Sequence, residues 1–299
     1  LVADTLVLAN TCLRAEIVPA LGAGLARLDA LDAQGCAAAL LRARPAQADP
    51  LDPNLLACYV LLPWSNRIGG GSFAFGGRSM AVPRTWLAEP LPIHGHGWRA
   101  PWQVQGRDER SVQLAYVHQD GTPYRYRAQL DYRLEGAELT LTLVLENRGA
   151  TLPFGLGLHP FLPRTAQTRL CAPAQRLWES GPDFLPLACV APPEPLDFST
   201  PRPLSDHVNH AFGGWNGEAR ISGSTPGYTL ALSADVDHYV LFTPAGQSYF
   251  CFEPVDHPIN AVNLPGEPAL HGLTVLAEGA TLRRQFRFSL MQDPPARSS

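Results

Sequence analysis

The sequence predicts an all-β fold, a large antiparallel β-sandwich, on three observations. Prolines leave little room for long helices: 29 of 299 residues are proline, and an interior proline removes a helical hydrogen bond and clashes with the preceding turn. In the longest proline-free window, between Pro123 and Pro153, apolar and polar residues alternate with period two, the period of a half-buried strand. Similar alternation recurs along the chain, separated by Gly-, Pro- and Asp-containing connections.

In chain order, Leu13, Ala15 and Ile17 alternate with Cys12, Arg14 and Glu16 and form a first strand. The alanine- and leucine-rich stretch 25–41 is read as holding a helical turn, despite its Gly and Asp. Val112, Leu114 and Tyr116 make a short strand. Tyr126, Ala128, Leu130, Tyr132 and Leu134 alternate with Arg127, Gln129, Asp131 and Arg133. After the connection Glu135–Gly136–Ala137–Glu138, leucines 139, 141, 143 and 145 alternate with Thr140, Thr142 and Val144. The two runs predict an antiparallel hairpin with one buried face. Pro182 to Pro203 reads as a long surface loop. Tyr239–Phe242 and Ser248–Glu253 pair across Thr243–Gly246, and Leu282, Phe286, Phe288 and Leu290 share one face of a late strand. Strand-like pattern continues on both sides of the proline tract and neither half has its own signature, so residues 1–299 are read as one domain.

Composition excludes several chemistries. All 23 cationic side chains are arginine, so no Schiff-base lysine and no Walker-A lysine is available. The net charge of −4 with scattered cations gives no basic stripe for nucleic acid. No run of about 18 apolar residues predicts a membrane span, and Leu1 to Pro19 lacks the basic-then-apolar pattern of a signal peptide. The six cysteines form no C-x-x-C pair; they read as reduced thiols, which predicts a cytoplasmic protein. No G-x-S-x-G, H-E-x-x-H or helix-opening G-x-G-x-x-G is present.

Five places could carry chemistry. Asn66–Arg67–Ile68 runs into Gly69–Gly70–Gly71, where a planar guanidinium sits beside a chain able to turn tightly; an ordinary glycine-rich hairpin has the same letters. His94–Gly95–His96 would put two imidazoles on one face of a strand, as metal ligands, hydrogen-bonding groups or structural residues. His159 lies between glycines and a Pro–Phe turn, either at a cleft or in the core. Glu253 closes the aromatic run Tyr249 to Phe252, where an apolar setting would raise its pKa and suit it to general-base work; a solvent-exposed strand end is the alternative. Val208–Asn209–His210–Ala211–Phe212 with Trp215 could form a sugar-stacking platform or an ordinary turn.

Taken in order, these pieces resemble the aldose 1-epimerase (galactose mutarotase-like) family. The resemblance begins at Leu6–Val7–Leu8–Ala9–Asn10 and at residues 17–23, and continues through Pro63–Trp64–Ser65–Asn66–Arg67–Ile68 and the glycines that follow. It passes through Ile93–His94–Gly95, Gly157–Leu158–His159–Pro160–Phe161 and Phe252–Glu253–Pro254, and closes on Gly272–Leu273–Thr274 and Gly279–Ala280–Thr281. It implies a one-domain β-supersandwich with no cofactor and no metal. It also implies that Glu253 takes the proton of a sugar C1 hydroxyl, that His159 protonates the ring oxygen, and that Arg67 and His94 bind the sugar.

Asn66, Asn209 and His96 complete the expected binding set. Asn209 stands where many family members carry Asp, and His96 is additional to the family pattern. The tract 255–260 is read as a loop able to close over the site. The expected partner is a small sugar, bound by a monomer or homodimer. A hexose-6-phosphate mutarotase, a non-catalytic sugar-binding protein and a cupin-like metal enzyme on His94 and His96 remain the competing readings.

Overall fold

The computed structural model describes residues 5–49, 51–120 and 122–293. Residues 1–4 of the Leu1–Pro19 stretch read for a signal peptide lie outside them. Among the described residues, two large antiparallel sheets dominate, of eleven and nine strands. The larger runs in the order Leu6–Ala9, Leu13–Val18, Gly24–Leu31, Cys58–Leu61, Gly157–Pro163, Tyr249–Val255, His238–Thr243, Val208–Gly213, Arg176–Ser180 and Pro186–Val190, with Ala37–Ala39 paired to Gly24–Leu31. The smaller runs Arg202–Pro203, Arg169–Cys171, Glu218–Thr225, Tyr228–Ala234, Thr281–Gln292, Glu138–Asn147, Tyr126–Glu135, Ser111–His118 and Gln103–Arg107.

The hairpin expected between Pro123 and Pro153 forms as Tyr126–Glu135 against Glu138–Asn147, with Leu130 opposite Leu143 and Tyr132 opposite Leu141. Its leucine face, Phe286 and Phe288 pack against Leu158, Leu241, Phe250 and Phe252 of the larger sheet in one buried cluster. The odd and even residues of each strand point to opposite faces. Tyr59, Phe161, Val240 and Cys251 therefore leave the sandwich interior and form a second buried cluster with Ile93 and Trp98. That second face holds the candidate site.

Two expectations are corrected. Residues 25–41 contain no helical turn; Gly24–Leu31 is a strand and Ala37–Ala39 its short neighbour. Gly24–Leu31 is buried on both faces at most positions, and such a strand loses the polar alternation that marks strands in sequence. The tract from Pro182 to Pro203 is not a plain loop. It contains the exposed edge strand Pro186–Val190, and Arg202–Pro203 pairs with Arg169–Cys171. Prolines are tolerated at such edges, where no neighbour needs their N–H.

The cover of the second face is pinned at Leu62, which accepts a hydrogen bond from the His96 N–H at 2.9 Å. Gly95 lies between with φ of 68°, and a Cβ added there would sit 1.9 Å from the Leu62 carbonyl oxygen. A Gly95→Ala substitution therefore has both a backbone and a steric cost. It should lower unfolding free energy by at least ~1–3 kcal/mol, read from the denaturant midpoint. An unchanged midpoint would contradict this close approach.

Candidate active site

Adjacent strands Gly157–Pro163 and Tyr249–Val255 pair Gly157 with Val255 and Phe161 with Cys251. The same offset sets His159 across from Glu253, and their side chains meet at 3.3 Å, Nε2 to Oε1. Pro160 and Pro254 lie in the stretch between those pairs, where neither can donate to a ladder. On its other side, His159 pairs in register with Tyr59. The Tyr59 ring stacks on the imidazole at 4.5 Å and Phe161 stacks at 4.7 Å, which fixes the imidazole's plane. Behind Phe161, the Arg42 guanidinium lies 3.8 Å from the ring centroid.

A cavity of about 170 Å³ opens over this pair, lined by Asn66, Arg67, His94, Asn209 and both His159 and Glu253. Asn66 and His94 come from segments that clasp each other. The His94 N–H donates to the Asn66 carbonyl and the Asn66 N–H donates to His94 Nδ1, both at 3.1 Å. Because Nδ1 accepts, the neutral His94 ring carries its proton on Nε2. Both residues hold positive φ, 53° and 58°, a conformation that Asn and His adopt more readily than most non-glycine residues. Arg67 donates through Nε and Nη2 to one oxygen of Glu89, at 3.1 and 2.9 Å. Its guanidinium also lies 4.8 Å from the Phe184 ring centroid, and Phe184 holds φ of 63°, an outlier for an aromatic residue.

Burial governs the electrostatics. Desolvation pushes the Glu253 carboxyl up to about 8, with Arg67 pulling the other way. Desolvation also pushes His159 down to about 3, and the positive Arg42 and Arg67 add to the fall. Both shifts favour neutral groups, so the pair holds a single proton through the neutral pH range, and its titrations belong to the pair. Burial, helped by His159 and Arg67, also holds His94 well below the ordinary imidazole range. Glu253 Oε2 and His159 Nδ1 are buried without a protein hydrogen-bond partner among the described residues.

The structure thus brings together Glu253, His159, Arg67, His94, Asn66 and Asn209. It does not bring His96 with them. His96 turns to the opposite side, stacks on His118 at 3.8 Å and meets Trp64 edge-on at 5.2 Å. Alternate residues share a face only in a strand, and the left-handed turn at His94 and Gly95 breaks that rule. The same divergence separates the two imidazoles of the competing His-x-His metal reading; among the described residues no group of three or more His, Cys, Asp or Glu could hold a metal.

Of the two readings of the segment around Asn209, the aromatic residues do not follow the stacking platform. Phe212 and Trp215 are buried against Tyr239, while Tyr59, Trp86, Trp98 and Phe242 line the cavity instead. The tract 255–260 is not a closing loop. Asp256 accepts from the Leu156 N–H at 2.8 Å and bonds Arg284, and His257 Nε2 accepts from the Ser65 N–H at 3.1 Å. It supports the floor of the site. Glu89, Tyr59 and Trp86 were not marked by any sequence motif, and only the Pro following Glu89 hinted at a loop there.

A sequence model of the aldose 1-epimerase family matches residues 4–289. The chain is 36% identical over 213 residues to the uncharacterized protein YphB of Escherichia coli (strain K12), covering 67% of this chain and 73% of YphB. Its fold is similar to the crystal structure of an aldose 1-epimerase candidate from Escherichia coli K12, with a TM-score of 0.87, 28% identity and coverage of 97% and 99% of the two chains. It is also similar in fold to the galactose 1-epimerase from Lactobacillus acidophilus NCFM, with a TM-score of 0.78, 16% identity and coverage of 96% and 94%. By the family model and the shared sequence, the chain belongs to the aldose 1-epimerase family.

Proposed function

We propose that this protein is an aldose 1-epimerase, an isomerase that interconverts the α and β anomers of a free hexose such as galactose or glucose. The observation that carries this reading is the 3.3 Å contact between His159 Nε2 and Glu253 Oε1 on the floor of a polar cavity. Anomer exchange needs only proton movement at two neighbouring oxygens, O1 and the ring oxygen, so it needs one base and one acid side by side. The cavity volume of about 170 Å³ falls below the ~300–1,000 Å³ of sites for drug-sized ligands and suits one sugar ring. The shared core cluster, which includes Leu8 and Phe288, supports a single domain. The free cysteines support a reducing, cytoplasmic setting.

The proposed cycle balances on the proton the pair holds. Sugar hydroxyls and Arg67 solvate the Glu253 carboxylate, and the proton passes across the contact to His159. Glu253 then takes the C1 hydroxyl proton as His159 Nε2 protonates the ring oxygen. The bond from C1 to the ring oxygen breaks and C1 becomes an aldehyde. Rotation about C1–C2 and closure on the other face reverse both transfers and give the other anomer. Ring opening returns the charge-separated pair to the neutral form that burial favours, which offsets the cost of the proton transfer that precedes it. His94, with its proton on Nε2, Asn66, Arg67 and Asn209 hold the hydroxyls through both steps.

Glu253→Gln keeps the shape of the floor and removes the base. Polarimetry on a freshly dissolved α-aldose should show the enzymatic rate fall by at least ~10²-fold, while the sugar still binds. Undiminished acceleration in that variant would remove Glu253 from the mechanism.

The pH profile follows from the shifts. The active form holds one proton on the pair. That proton is lost as pH rises past about 8, the value to which Glu253 is raised, and a second is gained only near 3, where His159 titrates. The value of kcat/KM should therefore stay level through neutral pH and fall about tenfold per pH unit well above 8. A decline centred on the ordinary imidazole value of ~6.5 would contradict a desolvated pair.

His96 offers the contrast. His96→Gln should leave KM for the sugar within about twofold while lowering thermal stability, because its ring packs away from the cavity. A large rise in KM would return His96 to the site.

A further inference from the structure

We infer that Glu89 is a specificity-determining residue, which accepts a sugar hydroxyl beside Arg67 and excludes aldoses that carry an anionic group. This inference rests on the proposed sugar site and names the class of sugar it takes. Two carboxylates line the cavity, Glu253 and Glu89, and Arg67 is the cation among its lining residues. Both donors on one edge of Arg67, Nε and Nη2, go to Glu89 Oε2. The remaining Nη1 lies 3.4 Å from Asn66 Oδ1. The side chains are mostly buried, 12% exposed for Arg67 and 21% for Glu89, so the pair is shielded from water and keeps one geometry. Phe184 lies against the guanidinium and restricts it further.

The arrangement answers what the guanidinium is for. A lone buried arginine in a cavity of this size would bind a phosphate or carboxylate through two parallel hydrogen bonds. Here that edge is already occupied by a carboxylate of the protein, and the positive charge is neutralised. A second anion would have to displace Glu89 or lie beside it, and like charges in a desolvated site repel strongly. A neutral sugar meets no such cost. Glu89 Oε1 makes no hydrogen bond to Arg67 within the distances above, so it can accept from one hydroxyl while Arg67 Nη1 donates to its neighbour. Vicinal hydroxyls, each both donor and acceptor, fit such a donor–acceptor pair.

The test compares glucose with glucose 6-phosphate and glucuronate in the wild-type chain, Glu89→Gln and Glu89→Asp. Gln keeps the size of the side chain and removes its charge; Asp keeps the charge. For each ligand, anomer exchange is read by polarimetry and binding by tryptophan fluorescence, since Trp86 and Trp98 line the cavity.

Glu89→Gln should weaken glucose at least tenfold, mainly in KM, and raise the preference for the anionic sugars over glucose at least tenfold in both readouts. Glu89→Asp should keep the wild-type preference. Unmasking Arg67 should also move the alkaline limb of the pH profile to lower pH, because a bare cation favours the Glu253 carboxylate. An unchanged neutral-to-anionic ratio in Glu89→Gln, or the same shift in Glu89→Asp, overturns the inference. Absence of anomer exchange in the wild-type chain counts against the epimerase reading alone, because the binding ratio still decides the role of Glu89.

Discussion

The placement of one carboxylate and one imidazole together on a buried sheet face is the constraint on which this molecule depends. Removing either from water is costly unless it is neutral or paired. Glu253 and His159 lie 3.3 Å apart and meet the condition because burial shifts both toward their neutral forms. The contact requires adjacent strands in fixed register, and Tyr59 and Phe161 stack against the imidazole to stop it turning away. The shifts in both groups follow from the same desolvation. A more exposed pair would keep ordinary carboxylate and imidazole behaviour and would lose its proton at ~6.5 instead of above neutrality.

The strand period links this chemistry to stability. Leu158 and Phe252 enter the core between the sheets, while their neighbours His159 and Glu253 point the other way. A slip of one residue in either strand would bury the ionisable groups among leucines and expose the aromatics. The packing that holds the sandwich together thus also sets the alignment of the pair. The loops over the outer face add a second level of fixation. Leu62, Gly95 and the mutual hydrogen bonds of Asn66 and His94 tie the cover to the strand end next to Tyr59.

This division explains what was legible in the sequence. The hairpin of Tyr126–Glu135 and Glu138–Asn147 was readable because one of its faces is wet, so polarity alternates. Gly24–Leu31 was not, because burial on both faces erased the alternation. Glu253, His159, Arg67, Asn66 and His94 could be named from short motifs; Glu253 and His159 lie within strands, and Asn66, Arg67 and His94 lie on loops around the cavity. His96 was misplaced because spacing predicts direction only when the backbone is extended, and two successive positive φ values intervene. Glu89 and Phe184 were invisible for another reason. Each becomes significant only through its contact with Arg67, and they lie 22 and 117 positions away in the chain.

The charges that line the cavity now form a consistent set. Arg67 and Glu89 cancel, and the His159–Glu253 pair with its single proton carries no net charge. The site is therefore polar but close to electrically neutral, rich in donors and acceptors without a surplus of either sign. Such a site discriminates by hydrogen-bond geometry and not by attraction at a distance. The arginine-only composition matters at this point. A lysine at position 67 would present a compact ammonium whose partner could rotate around it, whereas the planar guanidinium can commit one edge to Glu89 and still hold another nitrogen at a fixed direction beside Asn66. The fork therefore supplies both halves of the arrangement, neutralisation on one side and a directed donor on the other.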